Sequence, residues 1–154
     1  MNDNVSTEEF ELSKKMRLAW ANHAYWDRQA MISIINSLAN TDATVNRALR
    51  TAQEISNLFR PYFGDTAGNI LNRLLTEHIS IAGDLIKAVK NKDAANIARL
   101  NSDWYKNADE MAEEFSKISQ YYDKETIRKM LYTHLDLLKE ELRIYGDWQL
   151  CPGY

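Results

Sequence analysis

Three histidines are the only imidazoles in this chain, His23, His78 and His134. Each falls on the apolar stripe of a different predicted helix, close to its midpoint. A neutral imidazole is the commonest side-chain metal ligand, and three of them suit zinc, iron, copper or nickel. Three protein ligands with an open position also form the pattern of catalytic zinc. The spacing around them adds further donors. Asp27 stands one turn after His23, and Glu77 adjoins His78. Glu54 lies mid-way along the second predicted helix, and Asn107 and Asp109 mid-way along the fourth. These five are candidates for a fourth ligand or for accepting the second ring N–H of a histidine. Trp20, Trp26 and Trp104 are candidates for a dry wall around the site. The competing reading is a set of core histidines, each hydrogen-bonded to a neighbour, because histidine is often part-buried.

The elements that must position these residues are helical. The sequence S-T-E-E at Ser6 is a capping box, with Glu9 able to reach back to the cap. It opens a helix predicted over about 7–38, with Met16, Trp20, His23, Ala30, Ile34 and Leu38 on one face. A second is predicted over 42–60, with Val45, Ala48, Ala52, Ile55 and Phe59 inward. R-P-Y-F-G-D then breaks the pattern, because Pro61 lacks a donor and Gly64 suits a helix end. The third, 66–90, turns Leu71, Leu74, His78, Ile81 and Leu85 inward. The fourth, 94–118, turns Ile97, Trp104, Ala108, Met111 and Phe115 inward. The fifth, 124–145, buries Ile127, Met130, Leu131, His134, Leu137 and Leu138. Residues 1–6 and 147–154 read as tails.

Short connections make successive helices antiparallel. The expectation is therefore an all-α, up-and-down bundle of about five helices in one domain. Helices one, three and five then run parallel, and their three histidines lie at one height in the core.

Composition removes several classes of function. The 19 basic and 22 acidic residues are mixed along the chain, with a net charge of −3. No basic stripe exists for nucleic acid. No apolar run approaches the roughly 20 residues that span a bilayer. The N-terminus lacks the features of a signal peptide, which points to the cytoplasm. Cys151 is the only cysteine, so an intrachain disulfide is excluded. Ferritin-like carboxylate centres need Glu-x-x-His pairs on two helices, and none occurs here. A haemerythrin-type di-iron centre needs more histidines than three. A mononuclear centre is the better fit. A haem or small-molecule pocket, and a structural bundle with core histidines, stand as alternatives. A small-molecule ligand and a homodimer are both compatible with the pattern. Ser80 and Gly83 thin the wall of the third helix, leaving room for close helix approach or for a ligand.

W-x-x-H-x-x-W in the first helix, P-Y-F-G-D, L-L-T-E-H-I-S-I-A, W-Y-K-N-A-D-E-M-A and H-L-D-L-L-K-E-E occur in order. Together they resemble a small family of bacterial helical proteins that carries no settled activity. The resemblance spans about Leu18 to Glu141. It implies a family pattern matched here by His23, Trp26, Arg28, His78, Trp104, Asn107, Asp109 and His134. Relatives have been called acetylglutamate kinases, but this chain has neither an α/β pattern nor a glycine-rich phosphate loop. The wider similarity is to ferritin-like and DinB-like metal-binding bundles, and is one of architecture. The DinB-like arrangement pairs two histidines on one helix, so its ligand set does not carry over.

Overall fold

A computed structural model describes residues 6–145. It is all-helical, with no strand among the described residues. The elements are α1 (Thr7–Ile35), α2 (Thr41–Lys90), α3 (Ala94–Ile118) and α4 (Lys124–Tyr145). The capping box forms in full: Ser6 Oγ accepts from the Glu9 amide at 3.2 Å, and Glu9 Oε2 accepts from the Ser6 amide at 2.8 Å. Asp93 caps α3 through the Asn96 amide at 3.1 Å. Asp123 accepts from the Thr126 amide at 2.8 Å at the start of α4. These carboxylates satisfy amides that have no partner inside the helix.

Five helices are expected from sequence, and four are found. The break expected at 61–65 is confined to one residue, Gly64, where two helices meet at a kink within α2. The helical run of α2 continues for 50 residues through Pro61, with one non-helical residue, Gly64, at φ 81° and ψ 171°. A straight helix of that length would reach about 75 Å. Instead both ends of α2 lie at the end of α1. Thr41 Oγ1 donates to the Ser33 carbonyl at 3.0 Å, while Lys90 Nζ donates to the Ile34 carbonyl and to Ser37 Oγ. The chain therefore doubles back at Gly64, giving two antiparallel arms without an intervening loop. A backbone conformation open essentially to glycine alone makes so sharp a reversal possible.

The core is built where the arms of α2 meet α1, α3 and α4. Ile55, Leu71, Leu74, Trp104, Met111 and Leu135 are almost wholly inaccessible. Three residues expected inward are exposed instead: Leu38, Met130 and Leu137. Leu38 falls beyond α1, which stops at Ile35 and turns through Ser37 at φ 52°. On α4 the buried residues are Leu131, Leu135 and Leu142. This helix packs chiefly on α3, so its apolar stripe is narrow and Met130 and Leu137 rotate outside it. No helix among the described residues is long and apolar enough to cross a membrane. Cys151 and Trp148 lie outside the described residues.

Candidate metal centre

Five helical segments, α1, the two arms of α2, α3 and α4, each deliver part of a buried polar cluster. α1 carries His23 and Asp27 at i and i+4, the spacing that stacks side chains on one helix face. Their side chains meet, with His23 Nε2 3.1 Å from Asp27 Oδ2. The first arm of α2 brings Thr51, whose Oγ1 lies 3.1 Å from His23 Nδ1. That hydroxyl already donates to the Ala48 carbonyl at 2.6 Å, so toward His23 it accepts. The network thereby assigns the proton to Nδ1 and leaves a lone pair on Nε2.

His78, from the second arm of α2, is held in the same manner. Its Nδ1 lies 2.8 Å from Asn107 Oδ1 on α3. The Asn107 amide is oriented by its own donations to the Leu74 carbonyl at 3.2 Å and to Glu77 Oε2 at 3.4 Å. Its oxygen therefore faces the imidazole, Nδ1 carries the proton, and Nε2 is again a lone pair. His134 on α4 sits between the other two. Its ring centroid is 6.0 Å from that of His23 and 6.0 Å from that of His78.

Burial decides the charges. It lowers His23 to about 3, with His134 and His78 adding repulsion. It lowers His78 to about 4, against the raising effect of the Asn107 bond and with His134 adding to the fall. His134 is lowered by burial too. Burial raises the Asp27 carboxyl to about 8. Near neutral pH the cluster is thus three neutral imidazoles and a protonated acid. The geometry agrees: an Nε2 lone pair and a carboxylate oxygen 3.1 Å apart need a proton or a cation between them. Asp27 Oδ1 has no hydrogen-bond partner, although it is buried.

Among the described residues, those grouped tightly enough to hold an ion are His23, Asp27 and His134. One donor atom from each lies within 4.8 Å of the others. Donors around tetrahedral zinc stand about 3.4 Å apart, so small side-chain adjustments would close the site. Sequence spacing points to three histidines; the geometry groups two of them with a carboxylate and leaves His78 in the next position. Among the other candidates, Asn107 orients His78, and Glu77 touches Asn107 while pairing with Arg73 at 3.5 Å. Glu54 is taken by Arg47 and Arg50 at 3.2 and 3.1 Å. Asp109 accepts from the Tyr132 hydroxyl at 2.9 Å. Arg28 pairs with Glu141 at 3.0 Å, tying α1 to α4.

Trp20 meets His23 edge-on at 5.7 Å, and Trp104 lies 5.3 Å from His78. Trp26 instead carries the Arg47 guanidinium over its ring at 5.2 Å. Sequence reasoning missed Thr51. The available signal was a hydroxyl beside Ala48, Ala52 and Ile55 on a buried face, where an unpaired polar group is costly. Comparison of the chain with protein-family models, curated sequences and solved structures finds no match.

Proposed function

We propose that this chain is a metal-binding helical bundle with one mononuclear centre. His23 Nε2, Asp27 and His134 would hold the ion, with the His78 ring 6.0 Å from that of His134. The observation that carries this reading is the pair of acceptors His23 Nε2 and Asp27 Oδ2, 3.1 Å apart. Thr51 supports the first of them, as a carbonyl or hydroxyl commonly supports a metal-bound histidine. Nitrogen and carboxylate donors suit zinc, iron, copper or nickel. A bound dication lowers the pKa of a coordinated water and polarises a substrate oxygen. The resemblance to bacterial helical proteins and to metal-binding bundles supports the same architecture. We place the protein in the cytoplasm, with no nucleic-acid partner. A homodimer would use exposed apolar residues such as Leu18, Tyr25 and Leu137.

A second reading has its own observation. A proton on Asp27 completes the contact with His23 without any metal, making the cluster a structural polar core. The cavity that Asp27 and Trp104 line, about 40 Å³, is far too small for a haem.

Elemental analysis of untagged protein, followed by Co(II) titration of the chelator-stripped chain, separates the two readings. One equivalent of metal and visible Co(II) bands are expected in the wild type and not in a folded His23→Ala/His134→Ala variant. Absence of stoichiometric uptake by the wild type overturns the metal centre and leaves the structural core.

A further inference from the structure

Beside the cluster, and sharing Asp27 with its donor triad, lies a cavity of about 40 Å³ lined by Asp27, Met31, Ala48, Gly83, Trp104 and Leu138, among others. Its walls are mostly apolar. Met31, Ala48 and Trp104 are buried, whereas Gly83 and Leu138 are part-exposed, so the cavity runs from a rim to a closed floor. Two of its lining residues carry buried polar atoms with no hydrogen-bond partner, Asp27 Oδ1 and Trp104 Nε1. One is an acceptor and the other a donor. Leaving such groups unsatisfied costs on the order of 1–3 kcal/mol each, and native cores rarely tolerate it.

Gly83 is a third, independent sign. It sits inside α2, where glycine costs about 1 kcal/mol relative to alanine. Neither close packing nor backbone geometry requires it. A Cβ built there meets nothing within 4 Å, and its φ is not in the left-handed region. The missing side chain therefore leaves open space at the cavity rim rather than permitting helix approach.

We infer that this cavity is a binding pocket for a short aliphatic molecule bearing one group that both donates and accepts a hydrogen bond, a hydroxyl or a primary amide. The polar group would donate to Asp27 Oδ1 and accept from the Trp104 indole N–H. The carbon beside it would lie against Met31, Ala48 or Leu138. A cavity of roughly 150 Å³ takes benzene, with its six heavy atoms, so about 40 Å³ encloses about two. The pocket does not depend on a metal at the neighbouring centre.

The test follows the Trp104 indole N–H resonance of the ¹⁵N-labelled full chain, assigned by its loss in Trp104→Phe. Methanol and formamide are titrated into chelator-treated protein and again after one equivalent of zinc, so failure of the metal centre is seen separately. A saturable shift is expected with at least one probe. Its affinity should fall at least about tenfold in Gly83→Leu, which fills the rim. Ala82→Leu, at the adjacent lining position, should act in the same direction and replaces Gly83→Leu if that variant does not fold. A linear, unsaturable response to both probes would mean that the cavity holds water only and would overturn the proposal. So would saturation left unchanged by the folded rim variant.

Discussion

His23 Nε2 and Asp27 Oδ2 face each other at 3.1 Å, and the imidazole can only accept there, because its one N–H is on Nδ1 and donates to Thr51 Oγ1. Whatever lies between them must be positive or carry a hydrogen. Asp27→Asn tests this directly. The amide can donate to Nε2 as the protonated acid does, so the metal-free fold should persist. The anionic ligand is lost, and zinc affinity should fall by at least about 10–100-fold. Chelator competition reads the affinity, and urea unfolding reads the fold.

The pH dependence of the metal-free chain has a calculable sign. Asp27, ordinarily near 3.8, holds its proton to about 8 when folded. The native state therefore binds more protons than the unfolded chain between those values, and stability falls as pH rises through that window. His23 and His78 are lowered from 6.5 to about 3 and about 4, and His134 is lowered as well. These three remove stability as pH falls below 6.5 and outweigh Asp27 there. Urea midpoints measured with chelator should peak near neutrality and decline toward pH 8. Asp27→Asn should flatten that upper decline, and an unchanged slope would show that the carboxyl is ionised in the native state.

Thr51→Val keeps the shape of the side chain and removes the acceptor for His23 Nδ1–H. Metal affinity should drop on the order of 10–100-fold, the usual effect of losing such a support. Stability should drop by about 1–3 kcal/mol, because a buried N–H is left unpaired. Thr51→Ser should restore most of the affinity. Equal affinities for valine and threonine would show that Thr51 does not fix the tautomer.

Asn107→Leu strips the partner from His78 Nδ1 and leaves the Leu74 carbonyl without its side-chain donor. A loss of roughly 1–3 kcal/mol is expected from the unpaired imidazole N–H, since the Leu74 carbonyl keeps its bond within α2. Denaturant unfolding of the metal-free chain reads it. A change below about 0.5 kcal/mol, the usual range for surface substitutions, would contradict the network.

Gly64→Ala probes the reversal within α2. At φ 81° and ψ 171° an added Cβ meets no neighbour, so any cost comes from the backbone alone. Destabilisation of about 1–3 kcal/mol is expected. A neutral result in urea unfolding would mean that the bend does not need glycine.

The sequence alone determined that the chain is helical, that Ser6 and Glu9 open the first helix, and that His23, His78 and His134 lie at comparable heights on inward stripes. These follow from local rules: capping chemistry, a 3.6-residue period and short connections. Asp27 was visible as well, since i and i+4 share a face. Only the tertiary structure decided that Gly64 reverses α2 without a loop, because one permissive residue can do the work for which sequence signals suggest a break of several. Only packing decided which faces of α4 are buried, exposing Met130 and Leu137. The identity of the tight donor set was also beyond the sequence. Whether His78 or Asp27 joins His23 and His134 depends on partners in different segments, Thr51 28 residues beyond His23 and Asn107 29 beyond His78. No local period records a hydrogen bond across that distance.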